Sequence, residues 1–142
     1  MAETKLLRII DFTEYPGPRY ISQKGDSGEK YYIEVLNKAF YDCVCSKVIL
    51  EVDLDGTAGY PSSFLDEAFG ELVYDFSLEN VKKYLRIKTK FYSNRKEKVI
   101  NETFPEWEKR RKMNDTVVNT VQNPTELHHL TLNGKWTIRK IG

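Results

Sequence analysis

The sequence predicts an α/β sandwich, a small mixed sheet with helices packed against it, followed by a C-terminal β-hairpin. Two patterns point there. Short apolar runs of period two take turns with stretches whose apolar residues recur at i, i+3, i+4 and i+7, in the order β, α, β, α, β, α. Near the end, two strand-like runs flank Asn133-Gly134, a dipeptide suited to a two-residue type I′ turn. The 142 residues are about one domain's worth. Residues 1–113 are assigned to the α/β domain, and 114–142 to a linker and hairpin extension.

Residues 5–12 (KLLRIIDF) read as the first strand. Residues 13–25 hold two prolines and two glycines and read as a loop, with room for a short strand at Tyr20–Ser22. Asp26-Ser27-Gly28-Glu29 is an N-cap pattern opening a helix over 27–43, with Tyr32, Val35, Leu36, Ala39, Phe40 and Cys43 as its apolar stripe. Residues 47–54 (KVILEVDL) alternate most clearly and are placed at the sheet centre. Asp55 to Pro61 is turn chemistry, where Gly56 and Gly59 supply positive φ.

A second helix over 63–75 follows, with Ser63 as N-cap and Asp66 completing a capping box. It directs Phe64, Leu65, Ala68, Phe69, Leu72 and Phe76 inward, and Glu67, Glu71 and Asp75 outward at i, i+4 and i+8, beside Asp66. Like charges at that spacing each cost a few tenths of a kcal/mol, so the stripe needs a reason. Gly70 within the helix implies a close approach by a neighbour. Ser77 to Asn80 reads as a short helical turn, and 85–92 as a strand with one basic face. A helical region over 94–113 is interrupted at Pro105, which suits the first turn of a new helix near Phe104. Residues 114–125 read as a linker.

The net charge of +1 conceals a split: residues 1–81 carry 7 basic and 15 acidic side chains, residues 82–113 carry 12 and 4. Such asymmetry marks a protein-binding surface or internal pairing. The alternative is nucleic-acid binding. Arg86, Lys88 and Lys90 share a strand face with Tyr92, and Lys109, Arg110, Arg111 and Lys112 end the last helix near Trp107. The near-neutral whole chain places that reading second.

No apolar run approaches the ~20 residues that span a bilayer, and the first residues lack a secretory pattern. Cys43 and Cys45 are too close in sequence to bond each other comfortably and read as small thiols of a reducing cytoplasm. His128 and His129 lie far from them in sequence, so no metal is expected, nor any other cofactor. Asp53 and Asp55 at a strand end define no reaction without a base or a phosphate loop, so no enzyme is expected.

The most informative stretch is Asp53 to Gly70, DLDGTAGYPSSFLDEAFG. It resembles the core of a STAS-like family of unassigned function, D-L-D-G…G-Y-x-S-S-F-L-[DE]-E-A-F-G. Gly17-Pro18-Arg19 and Ser27-Gly28-Glu29 fit that family's upstream pattern, and the resemblance covers roughly residues 17–100. It implies a STAS-like sandwich related to bacterial anti-sigma-factor antagonists. In those, a serine at a strand–turn–helix junction is phosphorylated by a GHKL-type kinase, which switches partner binding. Ser62 and Ser63 match the two serines, Ser63 more closely to the switch residue; Pro61 replaces the antagonists' Asp and Phe64 their Gly. The resemblance places a partner surface on Asp55, Tyr60, Phe64, Asp66, Glu67 and Glu71. A cytoplasmic, non-enzymatic interaction module is expected, with a GHKL-type ATPase or kinase, or a second copy, as partner.

Overall fold

In the computed structural model, which describes residues 3–142, the central strand β2 (Ile49–Asp53) sets the length of the sheet. It pairs in parallel with β1 (Thr4–Arg8) on one side and β3 (Leu85–Lys88) on the other, so the sheet is parallel throughout, in the order β1-β2-β3. Both ladders end opposite Asp53, which pairs with Arg8 and Lys88. The central strand stops there because the Asp53 carboxylate accepts the N–H of Asp55 and bends the chain. With no partner beyond Arg8, the chain does not stay extended to residue 12. It forms a single helical turn, α1 (Ile9–Phe12), which buries Ile9. The strand expected over 85–92 likewise ends at Lys88, and the expected strand at Tyr20–Ser22 does not form, only a bridge between Pro16 and Asp26.

Helix α2 covers 28–46: α-helical over Gly28–Tyr31, π-helical over Tyr32–Leu36 and α-helical over Asn37–Ser46. Ser27 caps it, accepting the N–H of Lys30 at 3.0 Å, and Lys47 in the left-handed region (φ 58°) ends it. The helix therefore runs three residues beyond the expected 43. Helix α3 (Ser62–Phe76) is followed by α4 (Leu78–Tyr84), which Ser77 caps. Helix α5 covers 93–112 without the expected break. A π-helical turn at Val99–Thr103 links Ser93–Lys98 to Phe104–Lys112, and this wider turn accommodates Pro105, which has no N–H to give.

Strands β4 (Thr125–Leu130) and β5 (Trp136–Ile141) form a separate two-stranded antiparallel sheet. Their turn differs from the expected type I′. Asn133 is not among the residues with positive φ; Gly134 alone is (φ 83°), and its N–H bonds to Thr131 O at 3.0 Å. That is a three-residue loop, a type I turn followed by a left-handed glycine.

Helix α3 is central. Gly28 lets α2 cross it, since a Cβ there would strike the Phe64 carbonyl, and Gly70 lets the Trp107 indole of α5 lie on its backbone. The hairpin takes another side of α3, with Leu127 buried. Trp136 packs edge-on against Phe76 of α3 and Tyr41 of α2, while Tyr41 stacks flat on His128 at 3.7 Å. The Asn37 side chain bonds both backbone groups of His128, like a neighbouring strand. The segment 114–124 has no regular structure, yet Val117 and Val121 pack on the core.

Candidate functional site

At the C-terminal edge of the parallel sheet, where α/β proteins bind their ligands, hydrogen bonds tie three loops together. Asp55 accepts from Thr89 Oγ1 (2.7 Å), Lys90 N (2.6 Å) and Phe91 N (3.2 Å). Burial opposes its charge, but these bonds and the Lys88 charge prevail and hold its carboxyl below the usual range. Tyr92 donates its hydroxyl to Thr57 O at 2.9 Å, Tyr60 donates to Leu54 O at 2.6 Å, and Ala58 N–H bonds to Glu14 O. Asp55 and buried Tyr60 thus build this edge from within; the expected outward role for Tyr60 does not hold. Tyr15 (68% exposed) and Phe91 (74% exposed) stand free on the loops.

Ser62 is the first residue of α3 and is exposed; Ser63 follows it, half-buried. The expected capping box does not form. The N-cap residue is Pro61, with no side-chain bond, and Phe64 N–H bonds to Pro61 O at 3.1 Å. Asp66 is occupied elsewhere: it accepts from Arg19 (2.7 Å), Thr103 Oγ1 (2.9 Å) and Trp107 Nε1 (3.3 Å). Between the start of α3 and the middle of α5 lies a cleft of about 350 Å³, lined by Ser62, Arg19, Asp66, Arg95, Lys98 and Glu102 among others.

The carboxylate stripe does not face outward. Glu67, Glu71 and Asp75 are each 1% exposed or less, and Phe64 is fully buried, so none of Phe64, Glu67 and Glu71 offers an outward surface. The reason is that α3 is buried from Glu67 onward and its acids are met by two arginines. Arg19 binds Glu67 (3.1 Å) as well as Asp66; Arg139 of β5 grips Asp75 with two nitrogens (2.7 and 2.8 Å) and reaches Glu71 at 3.0 Å. His129 Nδ1 lies 2.7 Å from Asp75, and Tyr32 donates its hydroxyl to the same carboxylate. Burial works against the ionisation of Asp75, yet the Arg139 charge and the bonds from His129, Arg139 and Tyr32 hold its carboxyl low. Glu71 is pushed well up, by burial first and then by the Glu67 charge. Oε2 of each glutamate lacks any other partner, and a proton on Glu71 shared with Glu67 satisfies both.

Arg19 and Arg139 are the site residues that sequence reasoning missed. Arg139 had a signal: it pairs with Leu127 across the hairpin and lies two residues from Ile141, so strand alternation sets it on the buried face. A cation there answers two of the three acids left without a reason, Glu71 and Asp75, as Arg19 answers Glu67.

The matched family is decided over this framework, from the cap of α2 through α3 and into α5. The chain belongs to the family described as a STAS-like domain of unknown function, whose model matches residues 27–101. No curated protein and no solved structure matches it. In the STAS-like domain, the DLDG turn bends the chain out of β2 and the paired serines begin α3. Among the described residues, no helix is long and apolar enough to cross a membrane, and no group of three or more His, Cys, Asp or Glu could hold a metal ion. Cys43 is buried and Cys45 exposed, both unbonded.

The cations proposed for nucleic acid do not form one surface. Arg86, Lys88 and Lys90 are exposed at β3 and just beyond. Lys109 to Lys112 lie at the far end of α5, where Arg110 pairs with Glu106 (3.7 Å) and covers the Trp107 ring, and Arg111 pairs with Glu108 (3.1 Å).

Proposed function

We propose that this STAS-like domain is a non-enzymatic, cytoplasmic regulatory module that works by protein–protein contact and is switched by serine phosphorylation at the start of α3. The observation that carries the reading is the placement of Ser62. It is exposed at the first position of a 15-residue helix, on the rim of a cleft that also holds Arg95 and Lys98. A phosphate there gains from the helix N-terminus and from both cations, set against the carboxylates of Asp66, Glu102 and Glu106 on the same cleft. Ser63 is half-buried beside it, so Ser62 is the better acceptor in this chain. The partner, a GHKL-type kinase, approaches across the loop edge that displays Tyr15, Gly59 and Ser62.

The test is phosphopeptide mapping after incubation with a purified GHKL-type anti-sigma kinase and Mg-ATP, alongside binding assays with that kinase. Phosphate on Ser62, and weakened kinase binding by Ser62→Asp but not Ser62→Ala, are expected. No phosphate on either serine, together with equal binding by all variants, refutes the switch.

A further inference from the structure

Among the described residues, three basic side chains outside any ion pair come together in one place. Arg86 and Lys88 of β3 and Lys96 of α5 make no ion pair among the described residues. All three line one cleft of about 490 Å³, with Ile100 as an apolar wall and Glu51 as its one acid. The cleft lies on the face of the sheet opposite Leu50 and Val52. A parallel sheet ordinarily has both faces covered; on this one Arg86 and Lys88 are exposed and Leu6 is 48% exposed. Phe91, 74% exposed, stands just past the end of β3, with the Lys90 ammonium 5.9 Å from its ring.

We propose that this cleft binds a single-stranded nucleic acid, with Arg86, Lys88 and Lys96 on its phosphates and Phe91 stacking a base. Arg86 and Lys88 are two residues apart on one face, so they stand about 6.6 Å apart, the scale of the step between neighbouring phosphates of an extended strand. A bare, mobile backbone of phosphates can follow a concave cleft between a strand and a helix. A duplex is read by an element that protrudes into its groove, and none protrudes here. The exposed ring separates this ligand from an acidic peptide, which has no base to stack on it. The site is separate from the Ser62 cleft: Lys96 and Ile100, one turn apart, face the sheet, whereas Arg95 and Lys98 line the cleft at α3.

The experiment is fluorescence anisotropy of the full chain with a labelled oligothymidylate across about 50 to 200 mM salt. Three phosphate contacts give a slope of log affinity against log salt of about −2. Reversal of the cleft charges (Arg86→Glu, Lys88→Glu and Lys96→Glu together) should abolish binding with the circular dichroism spectrum unchanged, and Phe91→Ala should weaken it by about 5- to 100-fold. The matched reversal of Lys24, Lys38 and Lys135 to Glu should leave binding within about twofold, little beyond what long-range charge alone accounts for. No binding at the lowest salt overturns the proposal. So does equal weakening by the two triple variants, tighter binding of duplex, or competition by poly-glutamate as effective as by unlabelled oligonucleotide. Should a cleft triple fail to fold, Arg86→Gln with Lys88→Gln carries the same test, and retained full affinity then overturns it.

Discussion

Arg139 is 15% exposed in its side chain and faces two carboxylates that are 1% exposed or less. Arg139→Met keeps most of the length and removes the charge, leaving Asp75 ionised in the interior. Breaking a buried pair from one side costs about 3–5 kcal/mol. Tyr32 and His129 still serve Asp75, which places the expected loss near the lower end, about 3 kcal/mol by urea denaturation followed by circular dichroism. The cause can be separated from lost packing by adding Asp75→Asn. If the penalty is an orphaned charge, the double variant is more stable than Arg139→Met alone. The pH dependence has a fixed sign. Because Asp75 is held below its unfolded value of about 3.9, its contribution is present above that pH and lost as pH falls through the lower folded value. The gap between wild type and Arg139→Met should therefore narrow on acidification. A loss under about 0.5 kcal/mol, or a double variant no better than the single, refutes this account of the buried acids.

Glu71 carries the opposite sign: raised in the fold, it stabilises below about pH 4.3 and loses that contribution as pH rises toward its folded value. Glu71→Gln, which can still donate to Glu67, should flatten this decline, with a stability advantage over wild type that grows as pH rises above about 4.3; a pH-independent difference counts against the shared proton. Gly70→Ala should destabilise by about 1–3 kcal/mol through overpacking against Trp107, despite alanine's better helix propensity, with a changed near-ultraviolet spectrum as the check. Asp55→Ala removes the acceptor of three bonds and should cost about 1–3 kcal/mol, with faster amide exchange confined to Thr89 to Tyr92 and the Gly56 turn; unchanged exchange there would show that the loops hold without it.

Most of the architecture was legible because apolar periodicity is a local signal. A strand within 47–54 fell at the sheet centre, Ser27 capped its helix, and Gly70 met the close neighbour that a glycine inside a helix implies. What misled were properties set by distant residues. Strand ends depended on where a different strand stopped, so residues 9–12 and 89–92 looked extended but had no ladder to join. Asp66 at three residues from Ser63 had the spacing of a cap, yet Arg19, Thr103 and Trp107 compete for it from 37 or more residues away. Carboxylates at i, i+4 and i+8 read as solvated because periodicity ranks side chains by polarity, and polarity does not reveal a buried cation arriving from 64 residues downstream.

That cation bears on what the family region can be by itself. The matched segment, 27–101, contains all of α3 and its four clustered acids, but neither of the arginines that answer them. Arg19 comes from the loop before the match, Arg139 from the hairpin after it, and the indole on Gly70 from position 107. Cut to 27–101, this chain would keep buried carboxylates with no positive charge beside them, a cost of several kcal/mol against a total stability of about 5–15 kcal/mol. Four of the acids before residue 82, Asp66, Glu67, Glu71 and Asp75, are thus met inside the fold by arginines from segments that flank the match. The excess of bases after residue 82 is not so met around β3. The basic side chains Arg86 and Lys88 face outward and line one cleft with Lys96, and a charged partner of this domain is to be sought on that side.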